Sequence, residues 1–178
     1  MYPIGPGRYY AYALQVTPGY CGMTLVEHGG SQVGVSSHFG FVPEAGLSAA
    51  VLTNVSRVPA DVIWQGAVNT ALGLPLEQAP PVPPGVDLEP GELAQYQGAY
   101  GSDEGGNARV FLEGDVLKVT TEGETLALTP VGDHTFTYVS RARARTLKFV
   151  WHDQEGCWML FAGLRMHRKL PGAGEVPQ

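Results

Sequence analysis

The sequence predicts an α+β fold in two parts: an antiparallel β-meander with a helix packed at its C-terminal end, then a small antiparallel up-and-down β-barrel. Three observations predict it. Apolar, β-prone runs separated by Gly and Pro turns fill residues 8–54, and one helical pattern follows them. A proline-rich stretch then interrupts the chain, and beyond it short strands with Gly-containing turns recur at close spacing.

Residues 8–16, Arg-Tyr-Tyr-Ala-Tyr-Ala-Leu-Gln-Val, are aromatic and β-prone, and Thr17-Pro18-Gly19 reads as the turn that ends them. This first strand is expected to pair with the run from Gly22 to Glu27. That run continues into His28-Gly29-Gly30-Ser31, and the stretch Phe39 to Asn54 reads as two apolar strands joined at Pro43-Glu44-Ala45-Gly46. A three-stranded meander headed by His28-Gly-Gly results. Pro59 opens a helical pattern, with Ser56 as its cap, Ala60, Ile63, Ala67 and Ala71 on the face toward the sheet, and Gly73-Leu74-Pro75 as its stop.

Residues 75–86 hold five prolines and read as a stiff linker, since proline cannot donate to a sheet ladder. The expected boundaries are 1–74 for the first part, 75–88 for the linker, 89–170 for the barrel and 171–178 for a tail. A short helix is expected from Glu89 to Gln97. Strands follow near Ala99 and at 107–113, 115–121, 124–130, 134–140, 145–151, 157–162 and 164–169.

Composition narrows the function classes. The chain of 178 residues is 44% hydrophobic and 16% charged, which is globular and too apolar for disorder. A net charge of −6 argues against nucleic acid, whose phosphates need clustered Lys and Arg. Cys21 and Cys157 fall in different parts, so neither a disulfide framework nor a Cys-rich metal site is expected. His38, His134, His152 and His167 are scattered without metal-ligand spacing and read as surface or hydrogen-bonded structural residues; no metal and no cofactor are expected. The start, Met-Tyr-Pro-Ile-Gly-Pro-Gly, lacks the basic and apolar regions of a signal peptide, and no window is long and apolar enough to span a membrane. As written, the sequence is expected to stay in the cytoplasm.

One stretch carries chemistry. In Leu25-Val26-Glu27-His28-Gly29-Gly30-Ser31 an apolar approach ends in a histidine and two glycines, which let a ligand or another segment come close to the main chain. This His-Gly-Gly, followed by Gly34-Val35-Ser36-Ser37, Pro43-Glu-Ala-Gly46 and Ala50-Val-Leu-Thr-Asn54, resembles the serine β-lactamase and penicillin-binding-protein superfamily over residues 8–74. Within it the closer likeness is to the class C-like branch, with its esterases and D-amino-acid peptidases. The resemblance implies that His28, Gly29 and Gly30 take the places of the Lys-Thr-Gly element on the strand edging the active site. The N–H of Ser31 is then one oxyanion donor, and His28 orients a substrate carboxylate or the base. Tyr-x-Gly-x-Tyr at residues 96–100, followed by the strand meander, is similar to the lipocalin-like C-terminal domain appended to many such hydrolases. Relatives of full length are often exported.

The departures weigh as much as the match. None of Ser31, Ser36, Ser37, Ser48, Ser56, Ser102 and Ser140 has a lysine three places on, and no Tyr-x-Asn, Ser-x-Asn or Gly-x-Ser-x-Gly element is present. The expectation is therefore a C-terminal fragment of an acyl hydrolase, inactive alone. Its catalytic half is on another polypeptide or lost, and the bared surfaces, the Tyr9-Tyr10-Ala11-Tyr12 strand and the helix with Ile63, Trp64 and Val68, form a homo-oligomer through residues 8–74. The alternative is a non-enzymatic binding or scaffold module whose barrel takes a small apolar ligand or a protein partner. Arg141, Arg143 and Arg145 alternate, and read as a solvated outer face or as an anion-binding ridge. Phe149, Trp151, Trp158 and Phe161 read as barrel filling or as a ligand cage.

Overall fold

The computed structural model describes residues 1–103, 105–140 and 143–171. It is mostly antiparallel β-structure and divides into two compact units, Met1–Pro81 and Val82–Gln178.

The first unit is a six-stranded sheet in chain order: β1 (Tyr2–Gly5), β2 (Arg8–Ala11), β3 (Leu14–Tyr20), β4 (Met23–Gln32), β5 (Val35–Val42) and β6 (Leu47–Thr53). The strand expected at 8–16 is in fact a hairpin. Tyr12 and Ala13 turn the chain with φ of 51° and 61°, left-handed values that a sequence without Gly or Asn there does not advertise. Thr17-Pro18-Gly19 does not end the strand either: β3 runs through it to Tyr20 with a register shift between Thr17 and Tyr20, and the chain turns at Cys21-Gly22. The run headed by His28-Gly-Gly does form the three-stranded unit β4, β5 and β6, with Pro43 to Gly46 at its second turn.

Helix α1 (Ala60–Ala71) packs on one face of this sheet. Its buried positions are Ala60, Trp64, Gln65, Val68 and Asn69, while Ile63 is half-exposed. The expected stripe is thus rotated toward Trp64, and Trp64 and Val68 are covered by the sheet instead of bare. Trp64 donates Nε1–H to the Ala49 carbonyl at 3.0 Å and lies beneath Gly40, where an added Cβ would come within 2.6 Å of its ring. Ser56 does not cap α1; its hydroxyl accepts the Gly34 N–H at the tip of the β4–β5 hairpin. Past the helix, Gly73 turns the chain at φ 70° and Asn69, fully buried, donates to the carbonyls of Leu76 and Gln78 at 2.9 Å each. The Tyr20 hydroxyl reaches Asn69 Oδ1 and the Gln78 carbonyl, so the start of the proline-rich stretch is tied to this unit.

In the second unit α2 (Pro90–Ala94), shorter than expected, leads into a nine-stranded, nearly closed sheet. Its strands are β7 (Gly98–Gly101), β8 (Asn107–Glu113), β9 (Val116–Thr121), β10 (Glu124–Ala127), β11 (Thr129–Gly132), β12 (Thr135–Ser140), β13 (Arg143–His152), β14 (Cys157–Ala162) and β15 (Arg165–Lys169). The single strand expected at 124–130 divides at Leu128, which leaves the ladder, buries its side chain and donates to the Leu117 carbonyl. The order β10-β9-β8-β7-β15-β14-β13-β12-β11 puts the two edges on either side of that residue. Tyr96, Tyr100, Phe136, Phe149 and Leu160 are buried in the core, where Tyr96 stacks on Phe149 at 4.5 Å and meets Phe136 edge-on. Burial drives the Tyr100 hydroxyl well above the usual tyrosine range, and it donates to the Tyr96 carbonyl at 2.7 Å. Trp151, by contrast, is half-exposed.

Arg143 and Arg145 correct the outer-face reading. β13 pairs without a bulge, so both share the side of the strand that carries the buried Leu147 and Phe149, and both are half-buried. Arg141 lies outside the described residues, as does most of the tail at 172–178.

Candidate functional site

Strand β4 is longer than the strand before it. Its ladder to β3 runs from Met23 to Glu27, whereas its ladder to β5 continues through His28, Gly29, Gly30, Ser31 and Gln32. The last four of these are exposed and His28 is half-buried. Successive residues of an antiparallel strand direct their N–H and C=O groups to alternate sides, so half of the main-chain groups between Gly29 and Gln32 face away from β5 with no ladder strand opposite. The four residues singled out from the sequence thus lie side by side on one projecting edge.

Both glycines also have a local packing reason. A Cβ at Gly29 would stand 3.2 Å from His38 Nδ1, and one at Gly30 would stand 2.8 Å from Ser37 Oγ, which hydrogen-bonds the Gly30 carbonyl at 3.3 Å. The hairpin tip is pinned by Ser56, whose hydroxyl bridges the Gly34 N–H and the Gln32 carbonyl.

Around this edge the fold gathers polar side chains that sequence reasoning did not bring together. Tyr10, on β2, places its hydroxyl 3.2 Å from His28 Nε2. On β5 His38 is buried against the Trp64 ring, with centroids 5.0 Å apart, and its Nε2 lies 2.7 Å from Glu27 Oε2. Arg8 donates to Gln15 Oε1 at 2.7 Å and approaches Glu27 Oε1 to 3.7 Å. The chain of contacts Arg8, Glu27, His38 crosses from β2 to β5. Its signal in the sequence was the two-residue turn Val33-Gly34: once that fixes the register Glu27↔Gly40 and Gly29↔His38, Glu27 and His38 become diagonal neighbours on one face.

Among the solved structures that resemble this chain are three of interest. Two are of SurE: one with D-Leu, at 22% identity and TM-score 0.57 over 90% of this chain and 38% of that one, and another at 23% and 0.56 over 90% and 37%. This chain shares its fold with part of SurE. The third is the octameric penicillin-binding protein homologue from Pyrococcus abyssi, at 24% identity and TM-score 0.41 over 93% of this chain and 38% of that one. The chain therefore spans less than two-fifths of the length of each of these three structures. No family model matches the sequence, and no curated protein does.

Among the described residues no group of three or more His, Cys, Asp and Glu side chains is placed to hold a metal ion, and no helix is long and apolar enough to cross a membrane. At the opposite end of β4, Glu44 accepts the Thr24 N–H and hydroxyl, and these bonds hold its carboxyl below the usual range.

Proposed function

We propose that this chain is the C-terminal part of a serine β-lactamase- and penicillin-binding-protein-like acyl hydrolase, in which His28, Gly29, Gly30 and Ser31 form one wall of the acyl-transfer site. The observation that carries the reading is the projecting edge of β4, exposed from Gly29 to Gln32 where β3 has stopped. An extended substrate, a β-lactam, ester or D-amino-acid peptide, pairs with that edge, and its developing oxyanion takes the Ser31 N–H. His28 orients a substrate carboxylate or the base. The nucleophile and base come from a segment bearing Ser-x-x-Lys and Tyr-x-Asn, and units 1–74 and 89–170 are this wall and an appended lipocalin-like barrel.

Two further features support incompleteness. β6 is an edge strand of seven residues, Leu-Ser-Ala-Ala-Val-Leu-Thr, with neither charge nor proline to blunt it. The sheet face opposite α1 leaves Phe39, Phe41 and Leu52 exposed. These surfaces take the complementary segment or a second copy of the chain, associating through residues 8–74. The competing reading, a barrel that holds a small apolar ligand, is disfavoured by an interior filled with stacked aromatic side chains.

The test is turnover by complementation. Alone, the chain leaves a chromogenic cephalosporin and a p-nitrophenyl ester at background; with a polypeptide carrying the two missing motifs, hydrolysis appears, and Gly30→Val abolishes it by blocking the edge. Labelling of any serine of this chain by a fluorophosphonate in the absence of a second polypeptide overturns the proposal.

A further inference from the structure

Trp151 and Trp158 stand opposite each other on β13 and β14, on the side of the sheet that carries the buried Phe149 and Leu160 but nearer the end of the barrel. The core beside them is filled, yet Trp151 is 49% exposed and the Nε1–H of Trp158 is open to solvent. Their rings meet edge to face with centroids 5.3 Å apart, and Trp158 also packs on Tyr96 at 5.2 Å and on His134 at 4.7 Å. His134 is exposed, and with Asp133 it makes the two-residue turn between β11 and β12, at φ 55° and 47°. Left-handed backbone at both positions favours Asp-Gly or Asn-Gly, so glycine is the unstrained choice at 134. The fold holds a histidine there nonetheless. Its carbonyl accepts the Phe149 N–H at 2.9 Å, its Nδ1 shares a hydrogen bond with the buried Tyr96 hydroxyl at 2.7 Å, and Lys148 holds Asp133 at 2.6 Å. Nε2 has no partner among the described residues. Strain kept up around an exposed side chain points to a use for that side chain outside the core.

The rim thus offers a fixed aromatic surface beside an imidazole nitrogen and an indole N–H, and that mixture selects the chemistry of what fits. A wholly apolar partner covers those polar atoms without bonding them. A methylated cation needs ring faces set apart around it, whereas Trp151 and Trp158 touch each other. For an anion the nearby lysines are engaged, Lys148 by Asp133 and Lys169 over the Tyr100 ring. A sugar hydroxyl both donates and accepts, so it matches Nε2 in either ring tautomer and also takes the indole N–H. The equatorial hydroxyls of β-glucopyranose leave apolar C–H groups on both faces of its ring, flat enough to lie on an indole. We propose that Trp151, Trp158 and His134 form a binding site for a neutral hexopyranose of the β-linked glucose type, its C–H face on Trp151 and its hydroxyls on His134 Nε2 and the Trp158 N–H. Tyr96 positions His134 from below. The site lies wholly within the second unit and goes beyond the acyl-hydrolase reading: it stands whether or not the first unit takes part in acyl transfer.

The three tryptophans give three indole N–H signals in ¹H–¹⁵N spectra of the intact chain, assigned by changing each in turn to Phe, and the buried Trp64 of the first unit serves as reference. Cellotetraose is expected to shift the Trp151 and Trp158 signals in a saturable way and to leave Trp64 in place. Sorbitol, which has the hydroxyls but no ring face, is expected to move none of them. Trp151→Ala is expected to abolish the Trp158 shift, and Trp151→Phe, which keeps an aromatic face, to retain it with affinity reduced several-fold. His134→Gly suits the turn backbone and removes the imidazole; it is expected to keep the barrel folded by circular dichroism and to weaken binding at least several-fold. The proposal is overturned by the absence of a saturable shift up to the solubility of cellotetraose, by an equal response to sorbitol, or by a response that survives Trp151→Ala. A stronger response to a polyproline peptide or to tetramethylammonium chloride, the other ligands that stack on tryptophan, overturns it as well.

Discussion

Replacing Asn69 by alanine removes the hub that holds the proline-rich stretch to the first unit. The amide donates to two main-chain carbonyls, Leu76 and Gln78, at 2.9 Å each, and accepts from Tyr20 and Gln65. Tyr20 keeps the Gln78 carbonyl at 3.0 Å, so its hydroxyl is not stranded. The loss is then two donated bonds, each worth about 1 kcal/mol net, plus about 1–2 kcal/mol for carbonyls left poorly satisfied. That sums to about 3–4 kcal/mol, a large share of the stability of a domain this small. At about 4–8 °C per kcal/mol, melting of the first unit falls by about 12–30 °C. Asn69→Asp is expected to do at least as much harm, because a carboxylate oxygen replaces the donor and faces two carbonyl oxygens. Urea titration gives the free energy, and a protease gives the local effect, with new cleavage at 76–78. If Asn69→Ala costs less than about 1 kcal/mol and no new cut appears, the anchoring described here is wrong.

Limited proteolysis of the unaltered chain is expected to cut first within residues 79–84, because Leu76 and Gln78 are held by Asn69 while the Val86 N–H is held by the Pro130 carbonyl; a first cut inside 107–169 would count against the barrel. Glu44 gives a pH test. Its folded carboxyl is held below its ordinary value by Thr24, so the stability it contributes is present above about pH 4.5 and is lost as pH falls through the lower folded value. Glu44→Gln is expected to melt below the parent at pH 7, with the gap closing as pH falls through the lowered folded value, and a constant gap would refute the assignment. Sedimentation at micromolar concentration is expected to show a dimer or larger species that Leu52→Lys shifts toward monomer, by placing a charge on the bare face beside β6; a monomer that binds no hydrophobic dye removes the case for association.

What the sequence disclosed depended on whether a signal was local. The meander from β4 to β6 was legible because apolar runs, Pro43 and Gly46 mark strands and turn directly. The Tyr12-Ala13 turn was not, since two bulky or methyl-bearing residues in left-handed geometry are held there by the flanking strands and not by their own preference. Pro18-Gly19 misled in the opposite sense, as a bulge tolerates both inside a strand. The helix face was misplaced because Gln65 and Asn69 are buried, Gln65 against Asn69 one turn on, and Asn69 through Tyr20 on β3 and the Leu76 and Gln78 carbonyls past the helix. At the site, His28 to Ser31 stood out as a motif. Glu27, His38 and Tyr10 did not, because their meeting depends on strand register and on a contact reaching past β3.

Leu128 and the pairing of β7 with β15 together say how the second unit comes apart. Every other neighbouring pair in its ring joins strands consecutive in the chain, so each can zip as a local hairpin. Only β7 and β15 come from opposite ends of the unit, and their ladder holds just two pairs, Gly101↔Arg168 and Tyr100↔Lys169, extended by the Leu170 N–H on the Ala99 carbonyl. The longest loop closure in the barrel therefore rests on its shortest ladder. Closing it is expected to be the slow step of folding, since that entropy must be met before many contacts reward it. It is also expected to be the first of these ladders to part, with amide hydrogens of Tyr100, Gly101, Arg168 and Lys169 exchanging ahead of those in β8, β9, β12 and β13.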